Sequence, residues 1–236
     1  MRKTLALIAA ATALPLMCGI YSSENEPFAR KYLSEACRKT DYTMTTGFMG
    51  TAPLLPALSE GGDFETAYRM FEQTAYPSWL YPVINGATSI WERWNSYTIE
   101  NGFSGQNKMN SFNHYSLGGV GTWMMEFQAG IHRDGTTGFK RFILQPAAGG
   151  HFTYLKSAYD SVYGTIRSSW TAEDGVLTSY ETVVPANTSA TLYLPVKDEK
   201  AVPMPEGASF EGFVTHNGQL CAKITLTSGS FRFVVE

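Results

Sequence analysis

The sequence predicts a chain of two characters, α-helical over residues 1–137 and an antiparallel β-sandwich over 138–236. Three observations predict it. The first part carries apolar residues at helical spacing, broken by short glycine-containing stretches such as Ser59-Glu60-Gly61-Gly62-Asp63. Beyond Arg133-Asp134-Gly135-Thr136-Thr137-Gly138 the chain turns to short runs of β-formers. Among these runs stand Asp174-Gly175 and Asn217-Gly218, dipeptides that tolerate the left-handed positions of a two-residue hairpin.

Each element has its own justification. Over residues 24–39, Phe28, Tyr32, Leu33 and Ala36 recur with polar residues between them, an amphipathic helix. A helical stretch over 52–58 ends at the Gly61-Gly62 break, and Asp63 is placed to cap a further helix through Ala67, Met70 and Phe71. Between 83 and 110 no period survives, and Asn101-Gly102 and Ser104-Gly105 mark loop. Met109-Asn110-Ser111-Phe112-Asn113-His114-Tyr115 opens an apolar run that reaches Ile131, with Asn110 or Ser111 as the expected N-cap. Asn113, His114 and Tyr115 would then lie in the first helical turn. Gly118, Gly119 and Gly121 each cost a helix about 1 kcal/mol relative to alanine, which implies close packing or a nearby backbone. Strands are expected over 141–144, 152–159, 163–170, 176–184 and 190–194, with a last pair flanking Asn217-Gly218. Asn187-Thr188-Ser189 matches a glycosylation sequon but reads as turn chemistry before a strand.

Composition excludes some functions. A formal net charge of -3 over 236 residues, with no basic cluster, gives no electrostatic case for nucleic acid. Cys18, Cys37 and Cys221 are odd in number and form no metal-ligand spacing, so neither a disulfide framework nor a metal is expected, and no cofactor motif is found. The apolar N-terminal run is too short to span a membrane.

The chemistry concentrates between Tyr76 and Trp94. This segment holds Tyr76, Trp79, Tyr81, Trp91 and Trp94, two prolines and a single carboxylate, Glu92. Aromatic faces stack on the C–H faces of sugars, and a carboxylate among such walls can act as a general acid or base. The same residues read equally well as two core tryptophans with an exposed Glu92 and Arg93 between them. His114 likewise reads as a neutral hydrogen-bonding group at a helix mouth or as a partly buried histidine in a capping turn.

Five ordered stretches shift the balance. Residues 46–51 (TGFMGT), 54–59 (LLPALS), 76–81 (YPSWLY), 86–94 (GATSIWERW) and 109–115 (MNSFNHY) resemble, in that order and spacing, the bacterial α-L-rhamnosidases of glycoside hydrolase family 78. The resemblance continues through Gly138-Phe139-Lys140-Arg141-Phe142 and residues 159–164 into the tail. It implies the second half of an (α/α)6 toroid followed by a β-sandwich.

The resemblance also implies a chemistry: hydrolysis of terminal α-L-rhamnosides by inversion, with one carboxylic acid protonating the leaving oxygen while a second carboxylate deprotonates water on the opposite face. Glu92 matches the family's catalytic base and His114 a position that hydrogen-bonds the bound rhamnose; Trp79 and Trp91 are the expected walls around the sugar. The family's general acid comes from the first half of the toroid, and nothing in these residues matches its motif. Glu60, Glu65 and Glu72 read as exposed helix acids and Glu100 as a loop acid. The isolated chain is therefore expected to be an incomplete enzyme. Met1-Arg2-Lys3 and the run to Cys18 resemble a signal peptide, but Pro15 and Met17 stand where small residues are wanted and the run matches an internal toroid helix. A cytoplasmic chain is expected, with export as the alternative. Another toroid glycosidase of different sugar specificity, or a non-catalytic sugar-binding remnant, are the competing readings.

Overall fold

The computed structural model of the protein describes residues 11–103, 109–135, 137–200 and 202–235. The chain forms two compact units, Met1–Thr122 and Trp123–Glu236. Residues 1–10 of the N-terminal apolar run, and the Ser104-Gly105 loop signal, lie outside the described residues; 11–17 are helical.

The first unit is helical. Its elements are α1 (Glu26–Lys39), α2 (Phe48–Glu60), α3 (Phe64–Phe71), the short α4 (Leu80–Ile84), a 3-10 turn (Ser116–Gly119) and α5 (Val120–Trp123). Helix α1 opens on Glu26 and Pro27 and closes on Arg38 and Lys39, charges that complement the helix dipole at both ends. Its buried stripe is Ala29, Leu33, Ala36 and Cys37, spaced four, three and one apart. Phe28 and Tyr32, expected on the apolar face, instead remain 73% and 49% exposed. Leu54, Leu55 and Leu58 of α2 and Ala67, Tyr68 and Met70 of α3 complete the core. Asp63 caps α3 as its position predicts, accepting from Thr66 N at 3.1 Å, and its other oxygen pairs with Arg38 at 3.0 Å, joining the start of α3 to the end of α1. The glycine-rich run does mark a close approach, at Gly119, where an added Cβ would stand 2.9 Å from the Ala52 Cβ of α2.

The second unit opens on a π-helical turn (Met124–Gln128) and continues, among the described residues, as nine strands. These are β1 (Ile131–Arg133), β2 (Arg141–Leu144), β3 (Tyr154–Ser161), β4 (Gly164–Glu173), β5 (Val176–Val184), β6 (Ser189–Pro195), β7 (Ala208–His216), β8 (Gln219–Leu226) and β9 (Gly229–Val234). They make a five-stranded sheet ordered β1-β2-β6-β8-β7 and a four-stranded sheet ordered β3-β4-β5-β9. Strand β1 pairs with β2, so the sheet begins before residue 138.

Alternation places one face of each strand inward. Ile166, Trp170 and Tyr180 of one sheet share a buried cluster with Phe142, Leu144, Leu192 and Ile224 of the other. Burying each such side chain contributes about 1.5–3 kcal/mol. The inward Ser168 is satisfied, donating to Ala129 O at 2.5 Å and lying 3.0 Å from the Tyr180 hydroxyl.

The expected all-antiparallel sandwich needs one correction: β2 runs parallel to β6, with Arg141 opposite Ser189 and Leu144 opposite Leu192. A hairpin cannot join parallel strands, and here the whole β3–β5 meander intervenes between them. The four-stranded sheet is fully antiparallel. Both hairpin dipeptides turn as expected, with positive φ at Asp174 and Gly175 between β4 and β5, and at Asn217 and Gly218 between β7 and β8. Asn187 also has positive φ, and Thr188 Oγ1 donates to Pro185 O at 2.7 Å, which closes a turn there.

Candidate active site

Glu92 and His114 come together because two irregular segments of the helical unit pair with each other. The Glu92 amide donates to Ser111 O at 2.9 Å, and the His114 amide donates to Ile90 O at 2.8 Å. Segment 109–114 is irregular, which corrects the expected helix: helical turns begin only at Ser116, and neither Asn110 nor Ser111 is a cap. The physical reason lies in the partners. Ser111 gives its N–H to a carboxylate, and its hydroxyl donates to Asn113 O and accepts from Asn113 N, a local turn that competes with helix.

Side chains from 89–96 fasten this pairing. Ser89 Oγ donates to Phe112 O at 2.5 Å, Arg93 donates to Met109 O at 2.7 Å, and Ser96 Oγ donates to Asn110 Oδ1 at 2.8 Å. Arg93 thus points to a backbone carbonyl and makes no ion pair with Glu92. The carboxylate curls back instead: Glu92 Oε2 accepts the Ser111 N–H at 2.7 Å, a short charge-assisted bond. Its other oxygen, Oε1, has no hydrogen-bond partner among the described residues. Glu92 as a residue is half-buried.

His114 is half-buried with its ring parallel to those of Phe48 and Tyr115, each at 5.1 Å between centroids. Its ring is packed and its edge is what can hydrogen-bond. Nδ1 accepts from Ser116 N at 3.3 Å, so the neutral imidazole carries its proton on Nε2 and presents a donor there.

The two tryptophans are each only 7% exposed. Trp79 donates its indole N–H to Leu117 O at 2.8 Å and packs edge-on to Trp94. Trp91 packs edge-on to Tyr97 and Phe112, and Phe103 closes that aromatic group against Tyr97 and Phe112. The exposed rings stacked on His114 are Tyr115, 87% exposed, and Phe48, 44%, neither of them an expected wall of the sugar site. No local signal linked Phe48 to His114, because their contact depends on the fold; Tyr115 was at least adjacent. The sequence offers Ser111 only as a cap, since a backbone N–H leaves no mark in a sequence. Of the acids read as exposed, Glu60 and Glu72 are half-buried, and at Glu60 burial pushes the carboxyl up against the opposing pull of Arg30.

Among the described residues no group of three or more His, Cys, Asp or Glu is placed to hold a metal ion, and no helix is long and apolar enough to cross a membrane.

Comparison with known proteins gives a consistent answer. Residues 4–127 match the model of the bacterial alpha-L-rhamnosidase 6 hairpin glycosidase domain, and residues 130–209 that of the bacterial alpha-L-rhamnosidase C-terminal domain. An alpha-L-rhamnosidase of Streptomyces avermitilis is 38% identical over 197 residues, 83% of this chain and 18% of that protein. One from Formosa agariphila is 36% identical over 189 residues, 80% of this chain and 20% of that protein. The crystal structure of the Streptomyces avermitilis alpha-L-rhamnosidase complexed with L-rhamnose superimposes with a TM-score of 0.85 at 33% identity, over 97% of this chain and 21% of that one. The alpha-L-rhamnosidase of Aspergillus terreus superimposes with a TM-score of 0.80 at 31% identity, over 100% of this chain and 24% of that one. The chain thus spans about a fifth of the length of the relatives it matches.

Proposed function

The chain belongs to the bacterial α-L-rhamnosidases, and from that premise we propose that it carries the general base of an inverting α-L-rhamnosidase, with Glu92 as that base. In this reading the helical unit, Met1–Thr122, is part of an (α/α)6 toroid and the strand-built unit, Trp123–Glu236, the accompanying sandwich domain. The substrate is a glycoside with a terminal α-L-rhamnose.

The observation that carries the reading is the unequal carboxylate. Ser111 N–H pins Oε2 and leaves Oε1 without a hydrogen-bond partner among the described residues. Oε1 takes a proton from water as the water oxygen bonds to the anomeric carbon, and the bond to the leaving oxygen breaks on the opposite face. His114 Nε2–H donates to a sugar oxygen, and Trp79 and Trp91 stand as the walls behind the sugar. The proton for the leaving oxygen comes from a carboxylic acid in the remaining four-fifths of the length that the relatives have. The five-stranded and four-stranded sheets make no chemical contribution in this reading.

The test is hydrolysis of an aryl α-L-rhamnoside by the 236-residue chain and by the chain extended to the length of its relatives, each with and without Glu92→Gln. The extended protein should turn over, and Glu92→Gln should lower its kcat by about 10²–10⁴-fold, the usual worth of a general base. Activity that survives Glu92→Gln removes Glu92 from the role. Equal rates on α-L-fucosides and α-L-rhamnosides would instead move the substrate to another sugar.

A further inference from the structure

Taking Glu92 as the base, we propose that Ser96 and Asn110 are positioning residues for its carboxylate. The Ser111 N–H that pins Oε2 is only as well placed as the segment that carries it, and three side chains grip that segment. Two of those grips, Ser89 on Phe112 O and Arg93 on Met109 O, are exposed, so water competes for both partners. The third is not.

Ser96 is fully buried. Its hydroxyl lies 2.8 Å from Asn110 Oδ1 and 2.9 Å from Arg93 O, and it accepts from Arg93 N at 3.3 Å. Arg93 follows Glu92 in the chain, and Asn110 precedes Ser111. One buried hydroxyl therefore clamps the chain neighbours of both members of the carboxylate–amide pair. The Asn110 amide nitrogen is buried with no partner among the described residues, so the side chain is held there through its oxygen. Deleting the Ser96 hydroxyl leaves that amide with neither end paired, and a buried unpaired amide is driven toward water. Residue 110 then moves, and the Ser111 N–H moves with it.

Amide hydrogen exchange, followed by NMR on the 236-residue chain, reads this directly. In Ser96→Ala and in Asn110→Ala the Ser111 amide should exchange about tenfold faster or more, while Leu54 and Leu58 in α2 keep their rates. Ser96→Thr, which keeps the hydroxyl, should stay within about threefold of the parent at Ser111. In a form of the protein that turns over, both alanine variants should lower kcat by about tenfold with KM within about twofold, a split that loss of packing alone does not produce. Parental exchange at Ser111 in both alanine variants overturns the proposal. So does an acceleration shared equally by Leu54 and Leu58, which would show general loosening. The exchange measurement needs no turnover, so it stands or fails separately from the rhamnosidase reading.

Discussion

At Glu92 and His114 the backbone decides which atoms are left for a ligand. Ser111 N–H occupies one carboxylate oxygen, and Ser116 N–H occupies one imidazole nitrogen. What remains is an acceptor at Glu92 Oε1 and a donor at His114 Nε2, a complementary pair suited to a water and a sugar hydroxyl. The donor can be removed without disturbing the rings. His114→Phe keeps an aromatic face against Phe48 and Tyr115 but frees the Ser116 N–H, so the thermal midpoint should fall slightly, while L-rhamnose affinity should fall by about tenfold for one lost hydrogen bond. Calorimetric titration checks it, and unchanged affinity would take His114 out of ligand recognition. Both residues were legible in the sequence as chemistry-bearing groups. Their partners were not, since a main-chain N–H and a ring from α2 announce nothing locally.

Elements whose cause is local were legible, and those whose cause lies elsewhere were not. Asp63 as a cap and the two hairpin dipeptides act on residues one to three positions away, and all three behave as read. The segment from Met109 to Tyr115 has helix-like apolar spacing, yet it pairs with 89–93, and tertiary hydrogen bonds override the pattern. The parallel β2–β6 seam is set by closure of a long loop, to which local composition is blind. Gly130, between the π turn and β1, belongs with the second class, because what requires it lies fifteen residues away. It has φ of +71°, and an added Cβ would stand 2.1 Å from the Gln145 carbonyl. Gly130→Ala should therefore destabilise the sandwich unit by on the order of 3 kcal/mol or more, because backbone and strand β2 must both give way. Urea unfolding followed through Trp170 fluorescence measures this, and a loss below about 1 kcal/mol would show that the approach relaxes cheaply.

For the molecule as a whole, acid is the informative stress. Burial, with a smaller push from His216, lowers the His132 pKa to about 4, and burial also depresses His216. In the folded unit His132 stays neutral where the unfolded chain already takes up a proton. Its contribution is therefore complete above the unfolded value near 6.5 and is lost as pH falls toward 4, amounting to about 3 kcal/mol for a shift of this size. Unfolding free energy of the sandwich unit should fall over that window, and His132→Phe should flatten the slope; a profile that keeps its slope in the variant assigns the acid sensitivity elsewhere.

The seam between β2 and β6 has a consequence in time. Arg141 finds Ser189 only after the chain between them has doubled back through β3, β4 and β5, whereas β4–β5 and β7–β8 close across two-residue turns. Short loops close first, and the entropy of the long one must be met before its contacts contribute. In pulse-labelled refolding the amides of β4 and β5 should become protected ahead of those of β2. A newly made chain would thus expose the inner face of β2, with Phe142 and Leu144, longer than the inner faces of β4 and β5. The most dangerous moment for this sandwich comes before its second and sixth strands meet, when a neighbouring chain can offer β2 an edge sooner than its own β6 does.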